Sequence, residues 1–165
     1  TLIKSCTIIV AKTIILNELE DPQNLGSVLR TADGLGVHGV IISKHRACGV
    51  TPTVTKVSSG ASEYVRIARV TNIAQTIDYL KEQGLWVVGA DADGDDYFTL
   101  DLTGPLALVV GGEDKGLGRL VKRQCDMLAR IPLRGHISSL NAAVAASILG
   151  YDILRQRITK HVKKP

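Results

Sequence analysis

Ile131-Pro132-Leu133-Arg134-Gly135-His136-Ile137-Ser138-Ser139-Leu140-Asn141-Ala142-Ala143-Val144-Ala145-Ala146-Ser147 is the stretch around which the rest of the chain is arranged. Ile131 closes the short apolar run that begins at Met127, and Pro132 stops it. Leu133 to Ile137 read as a loop centred on Gly135. Ser138 or Ser139 can cap a helix, because a serine hydroxyl accepts a bond from a free first-turn N–H. Apolar residues then recur at Leu140, Val144, Ile148, Tyr151, Leu154 and Ile158, a spacing of three and four that predicts a helix. Ser139 and Asn141 thus fall at a helix N-terminus, beside unpaired N–H groups and positive dipole. The next turns carry almost no bulk, so another backbone can come very close. A tightly packed core helix and a ligand-facing helix terminus both fit this pattern.

Working outward, the 165 residues suggest one domain with room for a real core. With 45% apolar but only 4% aromatic residues, that core must be built from Leu, Ile, Val and Ala. The net charge of +4 leans toward a polyanionic partner without requiring one. Basic residues gather at Arg155, Arg157, Lys160, His161, Lys163 and Lys164, where a solvated helix end is the plainer explanation. Cys6, Cys48 and Cys125 are far apart and form no CxxC, so neither zinc nor any other metal is expected. Free thiols fit a reducing, cytoplasmic location. No apolar run approaches the roughly 20 residues of a membrane span. The chain starts at Thr1 with no signal-peptide pattern and no initiator Met, as a piece of a longer protein would.

Strands and helices alternate. Thr13–Leu16, Val40–Ile42, Tyr64–Val70, Trp86–Ala90, Leu106–Val110 and Met127–Ile131 read as strands. Asp21-Pro22 opens a helix with Asp as cap and Pro at the first position, and Leu25, Val28, Leu29, Ala32 and Leu35 give it one stripe. A short helix falls near Val54 to Ser58, and Asn72 caps another that Gly84 ends. Gly34-Leu35-Gly36-Val37-His38-Gly39 matches GxGxxG, but it follows a helix and leads into a strand, the reverse of a dinucleotide site. A nicotinamide oxidoreductase is excluded on that ground. Asp91-Ala92-Asp93-Gly94-Asp95-Asp96 imitates a calcium loop, yet position twelve is Leu102 rather than glutamate. It reads as an acidic surface loop. The expected class is α/β, a parallel sheet with helices on both faces.

Ligands in such sheets bind at the carboxyl ends of strands. Three loops qualify: Asn17 to Asn24, Gly111 to Gly118, and Leu133 to Ser139. The second holds four glycines in eight residues, which lets backbone approach a ligand, and Glu113 stands at its strand tip.

In order and spacing, the segments Asp21-Pro22-Gln23-Asn24-Leu25-Gly26-Ser27-Val28-Leu29-Arg30-Thr31-Ala32, Val110-Gly111-Gly112-Glu113-Asp114-Lys115-Gly116-Leu117, and Ile131-Pro132-Leu133 with Ser138-Ser139-Leu140-Asn141 resemble the three motifs of the SpoU (TrmH) branch of the SPOUT RNA 2′-O-methyltransferases. The chain looks most like the family's 23S rRNA guanosine enzymes and the related antibiotic-resistance enzymes. The resemblance implies a C-terminal deep trefoil knot, which general connection rules make very rare. It also implies a homodimer with its active site at or near the subunit interface. Residues 1–165 would form the single catalytic domain, with an N-terminal RNA-binding domain missing from the chain.

The implied reaction moves a methyl group from S-adenosylmethionine to a ribose 2′-hydroxyl of structured RNA, rRNA first and tRNA second. Gly111, Gly112, Ile131, Leu133 and Leu140 would line the donor site. Asn24, Arg30, Glu113, Ser139 and Asn141 are the catalytic candidates. Arg30 is the family's proposed base or activator. A free arginine side chain gives up its proton only in strong alkali, which makes holding phosphate and stabilising a developing alkoxide the easier task. An ion pair with Asp33 is its bland alternative. Glu113 would orient Arg30 or Asn24, and Ser139 and Asn141 could be caps alone. His38, His45 and His161 read as bystanders, with His136 the histidine to test. A catalytically inactive RNA-binding module is the competing class.

Overall fold

The structure, a computed structural model, describes residues 12–113 and 115–162. Thr1, Cys6, Asp114, Lys163 and Lys164 lie outside the described residues.

Strand β1 (Lys12–Asn17) leads to helix α1 (Pro22–Leu35) and strand β2 (Gly39–Ser43). Helix α2 (Pro52–Val57), a 3-10 turn at Ala61–Glu63, strand β3 (Ile67–Val70) and helix α3 (Ile73–Glu82) follow. Then come strand β4 (Trp86–Asp96), strand β5 (Leu106–Gly111), helix α4 (Arg119–Gln124), strand β6 (Met127–Arg130) and helix α5 (Ala142–Val162). The six strands form one sheet in the order β3-β2-β1-β5-β4-β6, and every pairing is parallel.

Side chains alternate along the central strands, because successive residues of a strand face opposite sides. Ile14, Leu16, Leu106, Leu108 and Val110 join the core beneath α1 and α5. Ile15, Ala107 and Val109 join the opposite core beneath α3 and α4. Helices therefore cover both faces, which is why the strands read as continuous apolar runs. After β1 the chain moves toward β2, and after β5 it moves the other way toward β6. The adjacent carboxyl ends of β1 and β5, where Asn17 pairs with Gly111, are thus a topological switch point.

Local expectations hold at α1. Asp21 Oδ1 accepts the Gln23 N–H at 2.8 Å, and Gly36 ends the helix in the left-handed region at φ 60°. The third strand is shorter than Tyr64–Val70, because the 3-10 turn runs up to Tyr64 and leaves that ring exposed.

Three expectations need correction. The acidic stretch 91–96 is no loop. β4 continues through it and bulges against β6, so that Ala129 stands opposite both Ala90 and Asp95. Three of its four carboxylates are paired: Asp91 and Asp93 hold Lys122, and Asp96 binds Arg130 Nη2 at 2.7 Å. The cap of α5 is neither Ser138 nor Ser139. Asn141 Oδ1 accepts from Ala143 N at 2.9 Å and from Val144 N at 3.2 Å. The periodic stripe on α5 also faces outward in part, with Val144, Tyr151 and Ile158 46%, 50% and 55% exposed. Ala143, Ala146, Leu149 and Ile153 point inward instead. Both faces of α5 carry apolar residues, so periodicity alone picks the bulkier one. The small residues face α1: Thr31 Oγ1 meets Ser147 Oγ at 2.8 Å, and a Cβ on Gly150 would overlap Leu35.

Ala146→Leu should therefore lower unfolding free energy by about 1–3 kcal/mol, since overpacking displaces α1. Val144→Leu should leave it unchanged. Urea denaturation of both variants checks the orientation of α5.

Candidate active site

The three loops flagged by sequence meet above the carboxyl ends of β1, β5, β4 and β6. Asn24 sits in the first turn of α1 and is buried. Glu113 follows β5, and Asn141 immediately precedes α5. Asn24 Nδ2 donates to Glu113 Oε1 at 2.6 Å. Asn141 Nδ2 donates to Asn24 Oδ1 at 2.8 Å and to Glu113 Oε1 at 3.1 Å. Because Asn141 Oδ1 is committed to capping α5, its amide nitrogen must face the other two side chains. Each amide orientation then follows from the last. Two N–H groups converge on one carboxylate oxygen, and charge-assisted bonds of this kind are the strong ones. Glu113 Oε2 has no donor among the described residues.

The second loop is drawn tight against β1. Gly112 N–H donates to Asn17 O at 2.9 Å, Gly116 N–H to Gly112 O at 3.0 Å, and Asn17 Nδ2 to Leu117 O at 3.0 Å. Side chains at Gly111 or Gly112 would overlap the Gly116 or Glu18 carbonyl. Glycine is required there by close backbone approach, with no donor or acceptor lost.

A cleft of about 590 Å³ opens beside this network. Gly111, Gly112, Ile131, Leu133 and Leu140 all line it, as do Glu113, Ser139 and Asn141. Val110, Ala129, Ala142 and Ala145 complete an apolar wall. Sequence reasoning missed the cleft's fourth side, formed by Ala90 to Asp93 and Lys122. The repeated aspartates were the available signal. Hydrogen bonds from Lys122 to Asp91 and Asp93 hold its ammonium pKa above the usual lysine value.

A second pocket of about 360 Å³ lies across Gly112, Glu113 and Gly116, lined also by Asp21, Asn24, Arg46 and Lys115. Glu18 and Arg46, both at positive φ (56° and 49°), pair across it at 3.7 Å.

Arg30 is not brought to this network. It is exposed on α1 and forms no ion pair among the described residues, with Asp33 or otherwise. Ser139 is exposed on the cleft rim, and His136 is exposed in the same loop outside the cleft lining. The described residues contain no cluster able to hold a metal ion and no helix long and apolar enough to cross a membrane.

A parallel sheet with a polar cluster and a cleft at its switch point defines a ligand-binding α/β domain. The profile of the SpoU rRNA methylase family matches residues 11–151, and the chain belongs to that family. It is 54% identical over 145 residues to YacO of Bacillus subtilis, a protein assigned to the TrmH family of tRNA/rRNA methyltransferases. That match covers 87% of this chain and 58% of YacO. The fold superposes on the SpoU methyltransferase AviRb of Streptomyces viridochromogenes, solved with AdoMet. The TM-score is 0.89 at 33% identity, covering 96% of this chain and 62% of AviRb. An RNA 2′-O ribose methyltransferase superposes with a TM-score of 0.80 at 32% identity, covering 90% of this chain and 57% of its own. The chain thus spans about three-fifths of the length of the curated relatives it matches.

Asn141→Ala should cost about 1 kcal/mol or somewhat more, through the lost cap. Asn141→Ser should recover most of that, since serine caps well, while leaving Asn24 and Glu113 without the amide. Chemical denaturation of the two variants separates the cap from the network.

Proposed function

We propose that this chain is the catalytic domain of an S-adenosylmethionine-dependent RNA 2′-O-ribose methyltransferase. The convergence of Asn24, Glu113 and Asn141, from three motifs far apart in sequence, on the edge of one glycine-walled cleft carries this reading. The residues present fit the methyl donor. The cleft lies within the usual size range of small-molecule sites. Its wall offers apolar side chains for adenine and tight glycines for backbone contact. When bound, S-adenosylmethionine supplies a methyl group already activated by its sulfonium.

The protein then has to orient the reactants and manage one proton. Asn24 and Asn141 fix Glu113 so that its free oxygen can receive the ribose hydroxyl. The pocket across Glu113 is where we place the acceptor nucleoside. Arg30 holds RNA phosphate and stabilises charge developing on the ribose oxygen. The catalytic set remains Asn24, Arg30, Glu113, Ser139 and Asn141, with Ser139 contacting ligand from the rim.

Homodimerisation is part of the proposal. Val144, Tyr151 and Ile158 form an exposed apolar face on α5. Tyr151 borders Gly34 of α1, and Arg30 lies one helical turn before Gly34 on the same side. Assembly through this face would bring Arg30 to the subunit junction. The threaded C-terminal knot also belongs to the proposal, as do a cytoplasmic location and an upstream RNA-binding domain. 23S rRNA guanosine is the first substrate to test, ahead of tRNA. The enzyme reading is favoured over an inactive RNA-binding module by the intact hydrogen-bonded network.

Arg30→Ala should abolish methyl transfer to unmodified rRNA with donor affinity nearly intact, and Lys should not fully restore it, lacking the planar fork. Ala145→Leu, which projects into the cleft, should remove donor binding with little loss of stability. Isothermal calorimetry with S-adenosylmethionine reads both, and equal loss of affinity in the Arg30 variant would refute its role. Tyr151→Asp should convert a dimer to a monomer in sedimentation velocity.

A further inference from the structure

Asp91, Asp93 and Lys122 are the charged cleft residues that the three motifs leave unused. They stand on the β4 side of the cleft, whereas Asn24 and Glu113 stand on the β1 side. The bulge in β4 begins at Asp91, and bulges commonly re-aim a side chain beside a site. The Asp91 side chain is only 18% exposed, against 78% for Asp93. Asp91 Oδ1 is saturated, accepting Lys122 Nζ at 2.9 Å and the Asp93 N–H at 2.9 Å. Its Oδ2 takes no donor among the described residues.

We propose that Asp91 anchors the ribose of the methyl donor, its Oδ2 accepting the 2′- and 3′-hydroxyls, with Lys122 as the positioning residue. The inference rests on the donor-site reading above. If the methyl group leaves on the Glu113 side, the donor's sulfur lies there too. The ribose is joined to that sulfur through one carbon, so it sits a short step across the cleft, toward β4. Two adjacent hydroxyls need a fixed acceptor with free lone pairs, and a carboxylate supplies it. The donor's α-ammonium is the competing group. It is strongly hydrated and ends a flexible chain, which suits exposed Asp93 better than covered Asp91. Lys122 locks the Asp91 rotamer before ligand arrives, so little side-chain freedom is lost on binding.

Calorimetry on the purified chain with three probes tests this: S-adenosylhomocysteine, 5′-methylthioadenosine, which keeps the ribose but lacks the amino-acid tail, and a 2′,3′-dideoxy analogue of the latter. Asp91→Ala should weaken the first two equally, by about tenfold, the scale of a hydrogen bond to a charged group. It should not change the dideoxy affinity. A loss confined to S-adenosylhomocysteine would put the carboxylate against the ammonium and overturn the assignment. An equal loss for the dideoxy probe would make Asp91 merely structural, and no loss at all would also overturn it. If the unaltered protein binds none of the probes, the donor-site reading itself fails. Lys122→Ala should show the same probe pattern with a smaller loss.

Discussion

The Asn141 side chain is the interaction on which the rest depends. One amide satisfies two free N–H groups of α5 through its oxygen, and through its nitrogen it holds Asn24 and Glu113. A helix N-terminus must find acceptors for such groups whatever else happens. Here the acceptor is also the piece that fixes a carboxylate. The longest helix of the described chain and the polar network are therefore set by one rotamer. An asparagine can do this because it offers an acceptor and a donor on opposite sides of one planar group.

Close approach of backbones is the second constraint. Gly94 lies against the Leu128 carbonyl, Gly111 against Gly116, Gly112 against Glu18 and Gly150 against Leu35. A methyl group at any of these would collide. With few aromatic residues available, the chain fills its interior by bringing small surfaces together. The alanines inside α5 serve the same end, and they leave a cleft walled by backbone rather than by bulky side chains. The low aromatic content and the glycine-rich second loop are thus two sides of one packing solution.

Much of the fold was legible because its signals are local. Asp21-Pro22 and Gly36 mark α1 by their own chemistry, and the apolar runs of β1 and β5 announce a sheet covered on both faces. The hydrogen-bonded cluster of Asn24, Glu113 and Asn141 was legible for a different reason: these residues stand at strand ends and helix starts, positions that sequence can locate. What escaped was whatever depends on the partner element. Asp91 to Asp96 look like a loop until β6 is laid beside them. The inward face of α5 cannot be chosen until α1 is present, since leucine-sized residues fill both sides. Asn141 rather than Ser139 is the cap because α5 starts only at Ala142. Arg30, read as part of the cluster, stands outside it because six residues along a helix turn a side chain well away from Asn24.

That placement has a consequence for how the domain works. A cation held next to Glu113 would spend its charge on that carboxylate before any RNA arrived. Arg30 instead stands apart and exposed, and Glu113 is oriented by neutral amides that leave one oxygen open. In the proposed reaction, the arrangement is completed only when RNA, or RNA and a second chain, brings the cation in. On that reading the acceptor is a ribose hydroxyl, a weak nucleophile, and the donor a strong electrophile, so a site that assembles late would limit transfer to water or to a wrong hydroxyl. On the same reading, the rigid half of the machinery lies in the Asn141 network, and the selective half lies in what must come to meet it.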